Sequence, residues 1–263
     1  MGRPTTGGGS RATVSSGKVT SSDTKVWANT KTQVKFRDAV LKAAIKSRVD
    51  RKRTQYKSLK ESELEKVPGS KVEVAIAAAA PAGKFLAAAK KALTDKRAEA
   101  QRRKDASKAQ PKATGVEPMD DDILATVDIK ISGYRSVESE KTLWKRYFGG
   151  YYKRTGDKRS ELKDPHGKEA VKLMVKFISP KKAPPGFSHH TKGVSIDFFQ
   201  MRKDKNKEEW VKNSTVKGNN PGQMTWWYAT WIYSWLHDNA TTYGFKELAS
   251  EAWHYDYVGV ETK

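Results

Sequence analysis

Cysteine is absent from this chain of 263 residues, so no thiolate is available as a nucleophile. The absence is compatible with an oxidising or a reducing compartment and decides nothing between them. No G-x-S-x-G segment occurs either, which leaves a serine triad unsupported. Long apolar runs are missing: the Ala-rich stretch to Ala89 is interrupted by Pro81 and Gly83 and is too short to span a bilayer. Met1 to Asp23 holds Gly, Ser and Thr with scattered cations and no apolar stretch of the kind a signal peptide needs, and it reads as a disordered arm, 1–23. Acidic residues are scarce beside basic ones, 30 against 51, giving a net charge of +21. Histidine is scarce as well, with five in the chain.

The charge is uneven. Residues 1–118 carry 27 basic and 11 acidic side chains, and residues 119–263 carry 24 and 19. Every Trp except Trp27 lies beyond residue 118, so the packed core is expected mainly there. In the region 24–118, from Thr24 to about Glu65, apolar residues at Val34, Phe36, Val40, Leu41, Ala44, Ile45 and Val49 recur at helical spacing among dense Lys and Arg, which predicts one or two basic amphipathic helices. Lys90 to Lys108 has helix-forming composition, and Pro111 to Pro118 reads as a linker. Beyond it, strands are expected at Ile123–Ile131, Val194–Arg202 and Tyr255–Val260. Helices are expected at Glu138–Phe148, burying Leu143, Trp144 and Tyr147, and at Trp226–Tyr243. Gly149-Gly150-Tyr151-Tyr152 reads as a loop. The order points to an α+β fold with an antiparallel sheet. At helical spacing, Trp226, Trp227, Trp231 and Trp235 read as core.

Ser188-His189-His190-Thr191-Lys192-Gly193-Val194-Ser195-Ile196-Asp197 and Glu251-Ala252-Trp253-His254 concentrate chemistry in two short segments. A catalytic zinc takes three ligands from His, Asp and Glu, leaves a position for water, and needs a nearby base. His190, Asp197 and His254 fit the ligands, and Glu251 fits the base. His190 and Asp197 are seven positions apart, so one regular strand would put them on opposite faces, and Thr191-Lys192-Gly193 must form a turn or a bulge. Glu251 and His254 would likewise oppose one another on a flat strand, which places Glu251 on a bend. His166, His189 and His237 read as surface or satisfied core residues.

These segments resemble the D-alanyl-D-alanine carboxypeptidase (VanY) type of zinc peptidase, within the LAS group that also includes lysostaphin-like enzymes and the hedgehog signalling domain. The pattern S-x-H-x-x-G-x-A-x-D is matched at Ser188, His190, Gly193 and Asp197, with Ser195 at the Ala position, and E-x-W-H is matched at 251–254. Ser132-Gly133-Tyr134-Arg135-Ser136 is similar to the family's S-G-Y-R-S segment. Trp235-Leu236, Asn239-Ala240 and Tyr243-Gly244-Phe245 are similar to its penultimate helix. Glu140 stands where members often have Gln, Ala252 where Pro is common, and Tyr255 where Trp is common.

The resemblance covers about residues 120–263. It implies a LAS/hedgehog-type domain at 119–263 with a central antiparallel sheet, a Zn2+ cofactor, and hydrolysis of a peptidoglycan stem peptide at or near a D-amino acid. It implies that Arg135 grips the oxyanion or a substrate carboxylate, and that Ser188, Glu140 and Trp253 contact substrate. A phage-lysin type of endopeptidase is the alternative within the class, and a polyanion-binding protein with a vestigial zinc site is the alternative outside it. Nucleic acid is disfavoured as a partner, whereas an anionic wall polymer or a delivery apparatus suits the basic half. The chain is expected to be made in the cytoplasm and to act in the periplasm or cell wall after lysis or injection, as an effector or lysin. A chain starting near Met119 is expected to fold and bind zinc alone.

Overall fold

The structure is a computed structural model that describes residues 24–109, 120–203, 210–212 and 227–259. The arm before Thr24, the Pro111–Pro118 linker and Trp226 lie outside the described residues. The central sheet is antiparallel throughout, in the order β3 (Thr126–Ser132), β4 (Ser195–Lys203), β7 (Glu251–Tyr257), β6 (Phe245–Leu248), and β5 (Trp210–Lys212) also pairs with β4. Alternation along β4 sends Ile196 and Phe198, both essentially inaccessible, to the core face and leaves Asp197 on the other. The register then sets Ser132 opposite Asp197 and Asp197 opposite His254, a row of polar groups across three strands. One row further on, Ser195 faces Asp256.

A long helix, α2 (Ile76–Ala109), covers the core face. It follows a small hairpin of β1 (Leu64–Lys66) and β2 (Glu73–Ala75). Pro81 lies in its second turn and removes the bond to the Ala77 carbonyl, yet the helix continues, because Ala78, Ala79, Ala82, Phe85, Leu86 and Ala89 all bury themselves against the sheet and the hairpin. Gly83 is needed for that contact: a Cβ there would sit 2.7 Å from the Pro68 ring. Phe85 is the centre of the cluster, with ring centroids 4.9 Å from Phe198, 5.1 Å from Tyr243 and 5.5 Å from Phe245. Trp227 and Trp231 are buried in the same cluster and Trp235 packs on it, as their spacing predicts. Trp231 opens α8 (Trp231–Asn239), which a 3-10 turn, Ala240–Tyr243, prolongs.

A second cluster joins α1 (Lys31–Asp50), α4 (Val137–Arg154) and α6 (Lys168–Ile178). Helix α1 starts at a Thr30/Gln33 capping box and buries Phe36, Val40 and Ala44 at i, i+4 and i+8. Both clusters therefore draw on residues before 118, and the core is not confined to the Trp-rich half: the Ala-rich run and the basic helix supply Phe85, Val74, Phe36 and Val40.

Other expectations are corrected in detail. Gly149-Gly150 is no loop but part of α4, where Tyr151 and Tyr152 are buried; a Cβ on Gly149 would meet Trp27 at 3.0 Å, so glycine there lets the indole lie against the helix. Tyr147 is exposed, and Leu143 is half-buried. Asp120–Ala125 forms a helical turn, α3, so β3 starts at Thr126. The last strand starts earlier than expected, at Glu251.

Candidate metal centre

The segment between His190 and Asp197 is a single helical turn, α7 (His189–Lys192). Ser188 caps it by accepting the His190 N–H at 3.3 Å, and Gly193 ends it at φ 79°, a left-handed conformation that glycine reaches without strain. Space matters as much as angle, because a Cβ on Gly193 would lie 2.7 Å from Leu59 and 2.9 Å from the Ala75 nitrogen. The turn reverses the chain and brings the His190 ring over the polar row of the sheet. His190 and His254 meet edge to face with centroids 4.9 Å apart.

One nitrogen or oxygen from each of His190, Asp197 and His254 lies within 4.8 Å of the others. The hydrogen bonds behind these atoms fix which atoms are offered. His190 Nδ1 is 2.7 Å from the Gly133 carbonyl, which can only accept, so its proton sits there and Nε2 turns to Asp197 Oδ1 at 3.1 Å. His254 Nε2 is 3.0 Å from Asp256 Oδ1, and its Nδ1 is 2.8 Å from Asp197 Oδ1. Asp197 Oδ2 accepts from Ser132 at 3.4 Å and lies 3.5 Å from Arg135 Nη1. Each ligand thus has its far atom held by a second group, the arrangement that orients metal ligands. Two imidazoles and one carboxylate, converging with outer partners in place, fit a zinc-type ion with an open coordination position.

Electrostatics agree. Burial chiefly, helped by the charges of Arg135 and His254, holds the His190 imidazole below the ordinary histidine range and so keeps it neutral. Burial opposes the charge of Asp197, yet His190 and His254 hold its carboxyl well below the usual range. Burial would also lower His254, but hydrogen bonds to Asp197 and Asp256 dominate and push it up to about 10 in the metal-free protein.

Glu251 opens β7 where Leu248 pairs with Glu251 across a register shift, so it stands on the expected bend. It lines a cleft of about 530 Å³ together with His190, His254, Arg135 and Ser188. Burial, with a contribution from Asp197, raises its carboxyl above the usual range, which suits a proton acceptor working near neutrality. Arg135 is tied by its backbone N–H to the His190 carbonyl and by Nε to Glu140 at 2.5 Å. Among the described residues its Nη2 has no partner, so part of the fork is open to the cleft.

Two expected substrate contacts lie elsewhere. Glu140 is fully buried beneath the cleft, where it pairs with Arg135 and, at 3.4 Å, with Lys182; it supports the cleft rather than lining it. Trp253 is half-buried against the core cluster, away from the cleft lining. His166 and His237 take the structural roles expected of them, with Tyr152 and Glu247 respectively. His189 is more involved than expected: its Nδ1 is 2.7 Å from Asp256. Asp256 itself, which also accepts from Ser195 at 2.5 Å, was not among the expected site residues. Its only sequence signal is its position two residues after His254, on the same strand face.

No curated protein sequence matches the chain. Among solved structures, a point mutant of the vancomycin-resistance D,D-pentapeptidase VanY from a VanB-type cassette, determined with Zn(II), is similar at 17% identity and a TM-score of 0.38, covering 79% of this chain and 82% of that one. The LdcB LD-carboxypeptidase is similar at 17% identity and a TM-score of 0.34, over 77% and 71%. DacB from Streptococcus pneumoniae D39 is similar at 22% identity and a TM-score of 0.28, over 52% and 56%. The profile of one family, described as VanY: D-alanyl-D-alanine carboxypeptidase, matches residues 123–260, just over half of the chain and the span that contains Arg135, the metal-facing triad and Glu251; the chain belongs to that family.

Proposed function

We propose that the chain is a zinc-dependent carboxypeptidase that hydrolyses the peptidoglycan stem peptide at a D-amino acid. The observation that carries this reading is the convergence of His190, Asp197 and His254 beside a cleft lined by a half-buried Glu251, whose carboxyl is raised, and by Arg135 with open N–H groups. When bound, zinc supplies a Lewis acid that polarises a carbonyl and acidifies water. Glu251, on the cleft wall with a raised carboxyl, would serve as the proton acceptor in the attack and as the donor to the leaving amine nitrogen. Arg135, clamped from behind by Glu140, directs its free N–H groups at the carboxylate of the terminal residue or at the developing oxyanion. Asp256 holds the Nε2 proton of His254, which keeps Nδ1 turned inward.

The setting we infer is a wall-degrading effector or lysin that meets its substrate after injection or lysis. The positive excess over residues 1–118 supports it, since such charge draws a protein to anionic wall polymers. No described helix is long and apolar enough to cross a membrane. Mass spectrometry of muropeptides after digestion tests the reaction. Chelator-sensitive loss of one terminal D-residue is expected, whereas intact stems, or loss that a chelator leaves unchanged, would reject the assignment.

A further inference from the structure

The cleft is lined by six cationic side chains, Arg48, Lys52, Arg53, Arg135, Lys181 and Lys182, against one carboxylate, Glu251. Two of the six are answered from beneath by Glu140. Lys181 is turned aside, donating to the Phe177 carbonyl at 2.9 Å and lying over the Phe177 ring. Arg48, Lys52 and Arg53 have no carboxylate within ion-pair distance among the described residues. They cluster closely enough that burial and the charges of Arg51 and Arg53 destabilise the Arg48 guanidinium.

Lys52 and Arg53 are exposed and Arg48 is half-buried, but the backbone that carries them is pinned. Arg48 Nη2 donates to the Ser179 carbonyl at 3.0 Å, and the Tyr56 N–H donates to the Gly186 carbonyl at 2.7 Å, which fixes the segment from both ends. Helix α1 ends in a pair of hydrogen bonds, Lys52 N–H to the Val49 carbonyl and Arg53 N–H to the Arg48 carbonyl, with Lys52 in the left-handed region at φ 54°. Glycine is the usual residue at that position, and a lysine there is strained. A strained cation on a cleft wall is a feature that occurs at ligand-binding surfaces.

We propose that Arg48, Lys52 and Arg53 form a second anion subsite, which reads a further free carboxylate on the stem peptide in addition to the terminal one. The proposal rests on the carboxypeptidase reading and specifies its substrate: a peptide with at least two carboxylates, one at the cleaved end and one on an upstream side chain. Screened pairs of this kind contribute a few-fold each, so that three acting on one carboxylate amount to roughly 3- to 150-fold in affinity.

Two synthetic stem peptides ending in D-Ala-D-Ala, identical except for a free carboxylate or its carboxamide at the upstream residue, make the test. The full zinc-loaded chain is expected to favour the acid at least about threefold in kcat/KM, mainly through KM. In Lys52→Gln/Arg53→Gln that preference falls toward one. In Lys91→Gln/Lys96→Gln, which removes the same charge from exposed positions on α2, it persists. Equal rates on the two peptides, or a preference that survives Lys52→Gln/Arg53→Gln or vanishes equally in the α2 variant, would overturn the subsite and leave the carboxypeptidase reading standing. Absence of chelator-sensitive cleavage of either peptide would overturn that reading itself.

Discussion

Glu251 and His254 stand three residues apart and do opposite things with protons. Glu251→Gln keeps the shape and loses the base, so hydrolysis is expected to fall by roughly two to four orders of magnitude with zinc content unchanged. Metal analysis beside single-turnover rates checks this, and loss of zinc in the variant would make Glu251 a ligand. His254 must lose a proton to bind metal, and in the metal-free protein it holds that proton up to about 10. Zinc affinity should therefore climb as pH rises from 6 toward 9, approaching tenfold per unit for one displaced proton. A competition titration against a chromophoric chelator reads the slope, and a flat profile would contradict the proton count. Glu140→Ala also matters: it removes the counter-charge of Lys182 and the nearer of the two carboxylates beside Arg135, which keeps Asp197 at 3.5 Å, at a cost of about 1–3 kcal/mol. Urea unfolding measures it, and a wild-type midpoint would show the pair to be dispensable. The metal-facing residues were legible in the sequence because each sits in a short segment of diagnostic types. Asp256 and the buried state of Glu140 were not, since both depend on register and helix packing across long sequence separations.

At the scale of elements, a one-turn helix decides where His190 points. The odd spacing from His190 to Asp197 already required a break near Gly193, and the break is the end of α7 rather than a bulge in a strand. Gly193→Ala should strain the left-handed cap by about 1–2 kcal/mol and drive a methyl into Leu59 and the Ala75 nitrogen. The β1–β2 hairpin and α7 would then separate, breaking the Ala75 N–H to Gly193 carbonyl bond of 2.9 Å. Weaker zinc binding and a lower melting temperature are expected; retention of both would mean that the turn does not depend on this contact. The reading of Gly149-Gly150 as a loop failed for a related reason. Glycine pairs signal turns locally, but here Gly149 clears room for Trp27 on a helix that its buried aromatic face holds together.

Across the whole molecule, composition suggested a boundary near residue 118 that packing does not respect. Charge and Trp content report what a segment shows to solvent and which aromatics it uses, whereas Ala, Val and a single Phe suffice to seal one side of a sheet. Phe85 alone contributes about 1.5–3 kcal/mol by burial, and α2 and α1 together supply a large share of both clusters. A net stability of about 5–15 kcal/mol cannot absorb their removal. Contrary to the expectation from sequence, a chain starting at residue 119 should show no cooperative melt by circular dichroism; a sharp transition with stoichiometric zinc would restore the two-part view. The metal centre on which the proposed chemistry depends can be examined in one step, by anomalous diffraction at the zinc edge from zinc-soaked crystals. The expected result is one peak held by His190 Nε2, His254 Nδ1 and a carboxylate oxygen of Asp197, with Glu251 outside bonding distance. A peak elsewhere, or one that recruits Glu251 as a ligand, would contradict it.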